Sequence, residues 1–452
     1  MASMSDKLAS NMDFSAFSKA KDLQKRLLFT LFALIVFRLG TYIPFPGINP
    51  TVLTEFFSEN SGGLLGMFNA FTGGALSRMS ILALNITPYI TSSIIMQLLT
   101  IAIPKLEEMQ RDGEDGRKKI VSITRYVAVA LAIIQSTAMA IAFGRQGLFR
   151  EGGDVLSIIC AVATLTAGSA FLMWVGERIT EKGIGNGISI ILVINIISRL
   201  PEDLAALFDT FVFSKKNAPA AAILAAVIIF AIIIAMVVLV IILNDGVRRI
   251  PVQYANKVQG RKMVGGGQTS YIPLKVNTAN VIPVIFAQSL LQLPIIITSF
   301  TSYDRTGVWA EILNYLNSNN WFQFAEGQIK YSIGLLVYFV LIIFFAYFYT
   351  SITFNPLMIA DNMKKQGGFI PGIRAGKPTS TYLNNVLNYI VLIGAVGLTI
   401  IAILPYFFNG VFKASVSFGG TSLIIIVSVI LETIKQVESQ MLVRNYKGFL
   451  QK

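Results

Sequence analysis

The chain has 452 residues, of which 54% are hydrophobic and only 13% charged, and its formal net charge is +13. A water-soluble domain cannot bury so much apolar side-chain area, so the composition predicts an all-α protein that crosses a membrane many times. Histidine is absent, which excludes catalytic triads, proton relays and metal sites that need imidazole.

Ten segments are long and apolar enough to cross a bilayer, which takes about 20 apolar residues each. In chain order the predicted spans are Leu27–Ile43, Ser80–Ile103, Tyr126–Phe143, Val155–Gly176, Ile184–Leu200, Ala218–Leu243, Ala279–Phe300, Tyr331–Ile352, Asn388–Phe408 and Gly419–Ile434. Residues 1–26 lack an apolar stretch, so no cleavable signal peptide is predicted. Lys and Arg concentrate in the loops of one side, which predicts that both termini are cytoplasmic.

Before the second span lies a short apolar segment bounded by glycines, Gly63–Gly74. Twelve residues cover only about 18 Å as a helix, too little to cross the membrane. We therefore predict a re-entrant helix, with the Gly73-Gly74 pair as a hinge. A surface loop with one hydrophobic face is the alternative.

The second and seventh spans carry the same polar signature, Asn-x-x-Pro-x-Ile with a Gln seven positions further on. It consists of Asn85, Pro88, Ile90 and Gln97 in one span and Asn280, Pro283, Ile285 and Gln292 in the other. An internal repeat predicts two structurally equivalent halves. We expect the two prolines to kink their helices. The polar residues either hold helices together or line a seam, and the sequence leaves both readings open.

Two loops on the predicted cytoplasmic side, residues 244–277 and 354–387, are longer than a connection requires and are rich in Lys and Arg. Their charge is either the ordinary excess of basic residues on that side or a docking surface for a large anionic partner such as RNA.

Three other function classes fit less well. An enzyme is disfavoured because no span contains Asp and no Walker motif occurs. A secondary transporter explains the repeat but predicts a compact polar site at mid-membrane, which the spans do not show. A membrane scaffold leaves the short Gly-bounded helix unexplained.

Several long motifs resemble the SecY family of protein-conducting channel subunits. They are GGALSRMSILALNITPYITSSIIMQLL, FLMWVGERITEKGIGNGISII, RRIPVQYANKVQGRK followed by PLKVN, FNPLMIADNMKKQGGFIPGIRAGKPT, and FGGTSLIII. The resemblance covers nearly the whole chain. It implies ten transmembrane helices in two pseudo-symmetric five-helix halves that form a clamshell. The domains are then a cytoplasmic segment 1–26, halves 27–205 and 206–438, and a cytoplasmic tail 439–452.

The same resemblance implies three functional elements. A ring of aliphatic side chains seals the pore at Ile86, Ile90, Ile188, Leu192, Ile285 and Ile425. A plug, about residues 63–74, contains Leu64, Leu65, Met67, Phe68 and Phe71. A lateral gate lies between the second and seventh spans, with Thr91, Gln97, Asn277 and Leu293 beside it. The resemblance implies no catalytic residue, metal or cofactor.

Function and partners follow from the same resemblance. It implies a channel in the bacterial inner (plasma) membrane that passes unfolded secretory polypeptides and releases membrane segments sideways. It also implies SecE and SecG as companion subunits. The basic loops would dock the ribosome or the SecA motor through Arg248, Arg249, Arg261, Lys262 and Arg374. Lys262 stands where the family often has Arg, which keeps the charge but loses bidentate phosphate geometry.

Overall fold

The structure is a computed structural model, and it describes residues 21–45, 47–48, 72–145, 147, 149, 154–212, 219–254, 257–259, 262–264, 269–300, 307–317, 321–322, 329–412 and 420–450. The plug residues Leu64, Leu65, Met67, Phe68 and Phe71 lie outside the described residues, and so does Arg261. The chain folds into two units, Met1–Leu204 with Val429–Lys452, and Ala205–Ser428. The predicted domain boundaries stay a prediction.

Helices dominate the first unit. They are α1 (Lys21–Gly40), α2 (Thr87–Ala102), α3 (Pro104–Arg111), α4 (Glu114–Arg145), α5 (Val155–Lys182) and α6 (Gly187–Phe211), of which α6 ends in the second unit. α3 begins at Pro104, two residues after the last residue of α2. Proline is tolerated there because the backbone N–H that it lacks has no partner in the first turn of a helix. The α2–α3 pair is bent by 104° at this break.

The second unit combines helices with short strands. It contains α7 (Pro219–Asp245), β1 (Val247–Tyr254), β2 (Lys257–Gln259), β3 (Lys262–Val264), β4 (Thr269–Lys275), α8 (Ile282–Phe300), α9 (Val308–Leu316), the 3₁₀ turn Ile329–Ser332, α10 (Ile333–Thr353), α11 (Pro356–Lys365), β5 (Gly368–Phe369), α12 (Lys377–Phe412) and the start of α13 (Gly420–Leu450).

Each predicted span overlaps one of these helices. Judged by length and hydropathy, five stretches among the described residues are fit to cross a membrane: Glu114–Gly144, Val155–Lys182, Ala226–Asp245, Lys330–Lys365 and Lys377–Leu404. The bent α2–α3 pair makes a sixth if it is one span. A helical membrane fold is therefore present, while ten crossings remain a prediction.

The expectation that Pro88 and Pro283 kink their spans is wrong. α2 begins at Thr87 and α8 at Ile282, so each proline occupies the first turn of its helix, where no backbone N–H is needed. The residues before α2, Ser80 to Ile86, form turns instead of helix. The repeated signature therefore marks where a helix starts.

One core cluster of the first unit consists of aliphatic and aromatic side chains from α1, the segment before α2, α5 and α6. Its most buried members are Phe37, Leu172, Ile179 and Ile191. Ser80–Ile86 packs closely on α5, since a Cβ at Gly168 would overlap the carbonyl oxygen of Ile81. This approach of backbone to helix requires glycine at position 168.

The two basic loops of the second unit fold together. β1 lies between β4 and β5 in one antiparallel sheet, with Ile250 opposite Ile272 and Gln253 opposite Phe369. Buried side chains from β1 and β4 pack against Met363 of α11 and against α12. We call this assembly of β1, β4, β5, α11 and the start of α12, together with the β2–β3 pair that lies between β1 and β4 in the chain, the basic cap.

Candidate functional site

The start of α2 is fixed by Asn85. This residue has a left-handed backbone with φ of 52°, which Asn tolerates better than most side chains. Its Oδ1 accepts a hydrogen bond of 2.8 Å from the backbone N–H of Ile86. Ser169 of α5 donates its hydroxyl to the Asn85 carbonyl at 3.0 Å. The first residues of α2 are thus held against α5.

Three of the six predicted ring residues belong to one cluster of the first unit. Ile86 is 1% exposed and lies in the cluster core, while Ile90 and Ile188 pack against it with part of their surface exposed. Leu192 lies one turn beyond Ile188 on α6 and is also partly exposed. The fold therefore brings Ile86, Ile90 and Ile188 together.

The other two predicted ring residues belong to the second unit. Ile285 lies in the first turn of α8 and is partly exposed, and its backbone N–H bonds to the Val281 carbonyl at 3.2 Å. Ile425 lies on α13 and is 4% exposed.

The described end of the predicted plug, from residue 72 on, packs within the first unit against α1 and α6. Gly73 and Gly74 both have left-handed backbones, with φ of 65° and 82°. A Cβ at Gly73 would lie 2.9 Å from Asn195 Oδ1 and 3.1 Å from an Arg38 nitrogen, so only glycine fits there without a shift. The turn conformation of the backbone continues from Gly74 through Arg78.

Polar atoms collect around this turn. Asn195 is completely buried, and among the described residues neither its Oδ1 nor its Nδ2 has a hydrogen-bond partner. The guanidinium of Arg78 stacks on the ring of Tyr42 at 4.3 Å, and that of Arg38 approaches the same ring at 5.7 Å. Such cation–π contacts hold positive charge against an aromatic face without an acid.

Two of the predicted gate residues lie on α2. The hydroxyl of Thr91 donates to the carbonyl of Thr87 at 3.0 Å, within its own helix. Gln97 Oε1 is buried and has no hydrogen-bond partner in the part of the chain that the structure describes. Leu293 lies in α8.

The fourth predicted gate residue, Asn277, is part of a polar network inside the second unit. Its Nδ2 donates to Asn244 Oδ1 at 2.8 Å, and Asn244 Nδ2 donates to Ser428 Oγ at 2.8 Å. Asn277 is 6% exposed and Ser428 is 5% exposed. The network joins the ends of α7 and β4 to α13. Sequence reasoning missed Asn244 and Ser428, because nothing in their spacing indicates that they meet.

The predicted docking residues lie on the basic cap as far as the structure describes them. Arg248 and Arg249 are exposed on β1, opposite Leu274 and Pro273 of β4. Arg374 is exposed in the turn between β5 and α12, and its carbonyl accepts a hydrogen bond of 2.8 Å from the Thr379 hydroxyl. Lys262 begins β3. Side chains from two separate basic loops are therefore presented by a single folded assembly.

A sequence model of the family named SecY matches residues 80–434. The chain belongs to the SecY family. Relatives described as protein translocase subunit SecY match over nearly their whole length. Those of Streptomyces griseus and Streptomyces coelicolor are 46% and 44% identical, each covering 97% of this chain and 100% and 99% of the relative. That of Mycobacterium tuberculosis is 41% identical, covering 95% and 97%.

Solved structures of SecY-type channels share the fold. A protein-conducting channel superposes with a TM-score of 0.61 at 17% identity, covering 92% of both chains. Sec61 in the canine ribosome–channel complex gives 0.61 at 17% identity, again over 92% of each chain. A SecY channel whose plug domain stabilises the closed state gives 0.62. At this identity the likeness shows the SecY fold and nothing finer.

Proposed function

We infer that this chain is the channel subunit of a protein translocase, which passes unfolded secretory polypeptides across a membrane and releases apolar segments sideways into it. The observation that carries this is the match to SecY translocase subunits over 95–97% of the chain. The membrane is the bacterial plasma membrane, and both termini face the cytoplasm, as the charge distribution predicts. The chain itself catalyses no reaction and needs no cofactor.

The seal is the aliphatic ring Ile86, Ile90, Ile188, Leu192, Ile285 and Ile425. Charged or strongly hydrogen-bonding groups at a constriction would hold a passing polypeptide, whereas branched aliphatic side chains offer neither. A narrow apolar passage also expels water and thereby stops ions. The cluster that unites Ile86, Ile90 and Ile188 supports this proposal for the first unit.

Ion leak tests the ring. Replacement of Ile90 and Ile285 by Ser should raise the resting conductance of proteoliposomes, because a polar constriction stays hydrated. Ile134→Ser on α4 is the matched control, since Ile134 is 64% exposed and outside the proposed ring. Equal conductance of the double variant and wild type would remove the ring from the mechanism.

The plug is the segment around residues 63–74. The left-handed Gly73-Gly74 pair supports a hinge at its end, and the packing of Gly73 near Asn195 and Arg38 supports its anchorage to the first unit. Deletion of Leu64–Thr72 should produce transient channel openings in planar bilayers. Flat resting current after the deletion would argue for another role.

The lateral gate lies between α2 and α8, with Thr91, Gln97, Asn277 and Leu293 beside it. An apolar signal segment gains roughly 25 cal/mol for each Å² that leaves water. Interhelical polar contacts in membranes are worth only about 0.6–2 kcal/mol each, so a polar seam can open and close. The unpartnered Oε1 of Gln97 supports a weakly held seam on the side of α2.

Docking takes place on the basic cap. Arg248, Arg249, Arg261, Lys262 and Arg374 bind ribosomal RNA phosphates or the SecA motor, which supplies the energy for movement. The exposure of Arg248, Arg249 and Arg374 on one assembly supports this. Ribosome complexes of the structural neighbours Sec61 and Ssh1 support a ribosome partner. SecE and SecG complete the complex.

One experiment separates this proposal from a small-solute transporter or a scaffold. A photoreactive residue placed at Ile90 or Ile285 should crosslink to a stalled secretory chain, and the same residue at Ile134 should not. A transporter or scaffold would yield no crosslink at any of the three positions.

A further inference from the structure

Three arginines of the first unit lie around the turn at the described end of the predicted plug. Arg38 is near the end of α1, Arg78 is in the turn residues before α2, and Arg199 is on α6. The guanidinium groups of Arg38 and Arg78 share the ring of Tyr42, at 5.7 and 4.3 Å from its centre. Arg199 follows Asn195 by four positions, so the two lie on one face of α6. None of these residues belongs to the proposed ring, gate or docking surface.

Each of the three arginines has buried nitrogen without a partner. The atoms are Nη1 of Arg38, Nη1 of Arg78, and Nε and Nη1 of Arg199, and none of them has a hydrogen-bond partner among the described residues. In the same part of the chain, the one ion pair of the cluster joins Arg199 Nη2 to the exposed Glu202 at 3.8 Å. Burying a cation is costly unless an opposite charge and hydrogen bonds replace the lost water. The cluster therefore lacks a negative partner.

The amide of Asn195 lies within this cluster. Asn195 is completely buried, and its two amide atoms are unpaired among the described residues. Its Oδ1 and Arg38 Nη1 lie 2.9 and 3.1 Å from one point, the position of a Cβ on Gly73. A rotation of the guanidinium pairs this acceptor with this donor. The Nδ2 of Asn195 then still lacks an acceptor, which a buried donor in a native protein almost always has.

The remaining unpaired atoms specify the chemistry of the missing partner. Once Asn195 Oδ1 is paired, every one of them is an N–H donor, and guanidinium has no acceptor and stays charged. The partner is therefore an anion that accepts hydrogen bonds and donates none. Protein encloses these donors, so a single-atom ion fits among them more readily than a tetrahedral oxyanion or a side-chain carboxylate with its attached chain.

We propose that this cluster binds one chloride ion. Asn195 Nδ2, Arg78 Nη1 and the inward nitrogens of Arg199 donate to the ion, while Arg38 pairs with Asn195 Oδ1. Arg38 and Arg78 are partly exposed, so the ion reaches the cluster from solvent. On the predicted topology this end of α1 faces away from the cytoplasm, and the chloride is external. The bound ion holds the Gly73-Gly74 turn against α1 and α6.

Thermal unfolding of the full chain in detergent tests the proposal in solution. Potassium gluconate is replaced stepwise by potassium chloride at constant ionic strength. We expect the unfolding temperature of wild type to rise by about 2 °C and then level off, because a ligand that binds only the folded state stabilises it by mass action. Bromide should reproduce this saturable rise, and sulfate should not.

Two variants and a matched control assign the rise to the cluster. Arg199→Gln removes one cationic donor, and Asn195→Leu removes the amide while keeping the volume of the side chain, so both should abolish the rise. Arg178→Gln on α5 is the control, since Arg178 lies 5.7 Å from the Trp174 ring, as Arg38 does from Tyr42. It removes the same charge outside the cluster and should keep the rise.

Bromide also locates the ion, because it scatters X-rays anomalously. In crystals soaked in bromide we expect an anomalous peak within hydrogen-bond distance of Asn195 Nδ2, and no such peak in Asn195→Leu. The proposal is overturned if wild type shows no saturable rise, or if the rise persists in both cluster variants. A bromide peak without a chloride-dependent rise would mean an adventitious ion only, which overturns it as well. None of these measurements depends on translocation, so their failure leaves the proposed function untouched.

Discussion

Asn85 and Asn280, 195 positions apart, adopt the same left-handed backbone, with φ of 52° and 55°. Each stands three residues before the proline in the first turn of a helix, Pro88 of α2 and Pro283 of α8. The repeated signature thus forms the same local structure in both units, a residue with a left-handed backbone followed by a helix with proline in its first turn. This arrangement therefore sets where α2 and α8, the two helices of the proposed lateral gate, begin.

We expect Asn85→Gly to be less destabilising than Asn85→Val. Glycine adopts the left-handed conformation freely, whereas an L-residue with a side chain pays about 1–2 kcal/mol for it, and a β-branched one fits worst. Both variants lose the 2.8 Å bond to the Ile86 N–H, so the difference between them reports the backbone conformation. Thermal unfolding in detergent measures the difference. Asn385→Val in the exposed interior of α12 is the control, and equal shifts at positions 85 and 385 would contradict the argument.

The sequence predicts the helices of this fold well and the helix starts poorly. Hydropathy alone places a helix in each of the ten predicted spans, because apolar runs of that length have few other uses. It extends the second span back to Ser80, because residues 80–86 are as apolar as the helix that follows. Their turn conformation depends on long-range packing, in which Ser169 and Gly168 of α5 meet Asn85 and Ile81.

The candidate site was predictable only through motifs. Ile86, Ile90 and Ile188 look like any isoleucines of a membrane helix, and only family resemblance selects them. The folding of two basic loops into one cap was not predicted. It depends on β1 pairing with β5 more than 100 positions away, which local patterns do not encode.

Gly168→Ala should destabilise the first unit although alanine favours helices. The new Cβ would overlap the carbonyl oxygen of Ile81, and overpacking of this kind costs about 1–3 kcal/mol. Gly144→Ala on α4 is the matched control, because its Cβ would make only ordinary van der Waals contacts, with the Phe149 ring at 3.6 Å and with Ile158 Cδ1 at 3.8 Å. Unfolding temperatures should fall for position 168 alone. If the unfolding temperature falls by a similar amount in both variants, the contact with Ile81 is not the cause of the destabilisation.

Asn244 and Asn277 should show strong energetic coupling. Asn244→Ala leaves the buried Asn277 Nδ2 and the Ser428 hydroxyl without their partner, at about 1–3 kcal/mol. In a double-mutant cycle with Asn277→Ala we expect a coupling energy of about 0.5–3 kcal/mol. Additive effects on stability would show that the bond of 2.8 Å between the two amides contributes nothing. If Asn277 belongs to the proposed gate, the same variants should increase export of a secretory protein with a weakened signal sequence.

Replacement of Gln97 by an apolar residue should not lower the stability of the protein, in contrast to replacement of Asn277. Its Oε1 is buried without a partner, so Gln97→Leu removes an unmet acceptor and should leave stability unchanged or raise it by about 1 kcal/mol. Because leucine places an apolar side chain at the proposed gate, we expect export of the weakened signal sequence to change while the unfolding temperature does not fall. Ser92→Ala is the control within α2, since the buried Ser92 hydroxyl lies within hydrogen-bond distance of two carbonyls, that of Tyr89 at 2.9 Å and that of Thr124 at 3.2 Å. Its loss should lower the unfolding temperature. If Gln97→Leu lowers it as much as Ser92→Ala does, Gln97 has a partner in the membrane and is not a weak point of the gate.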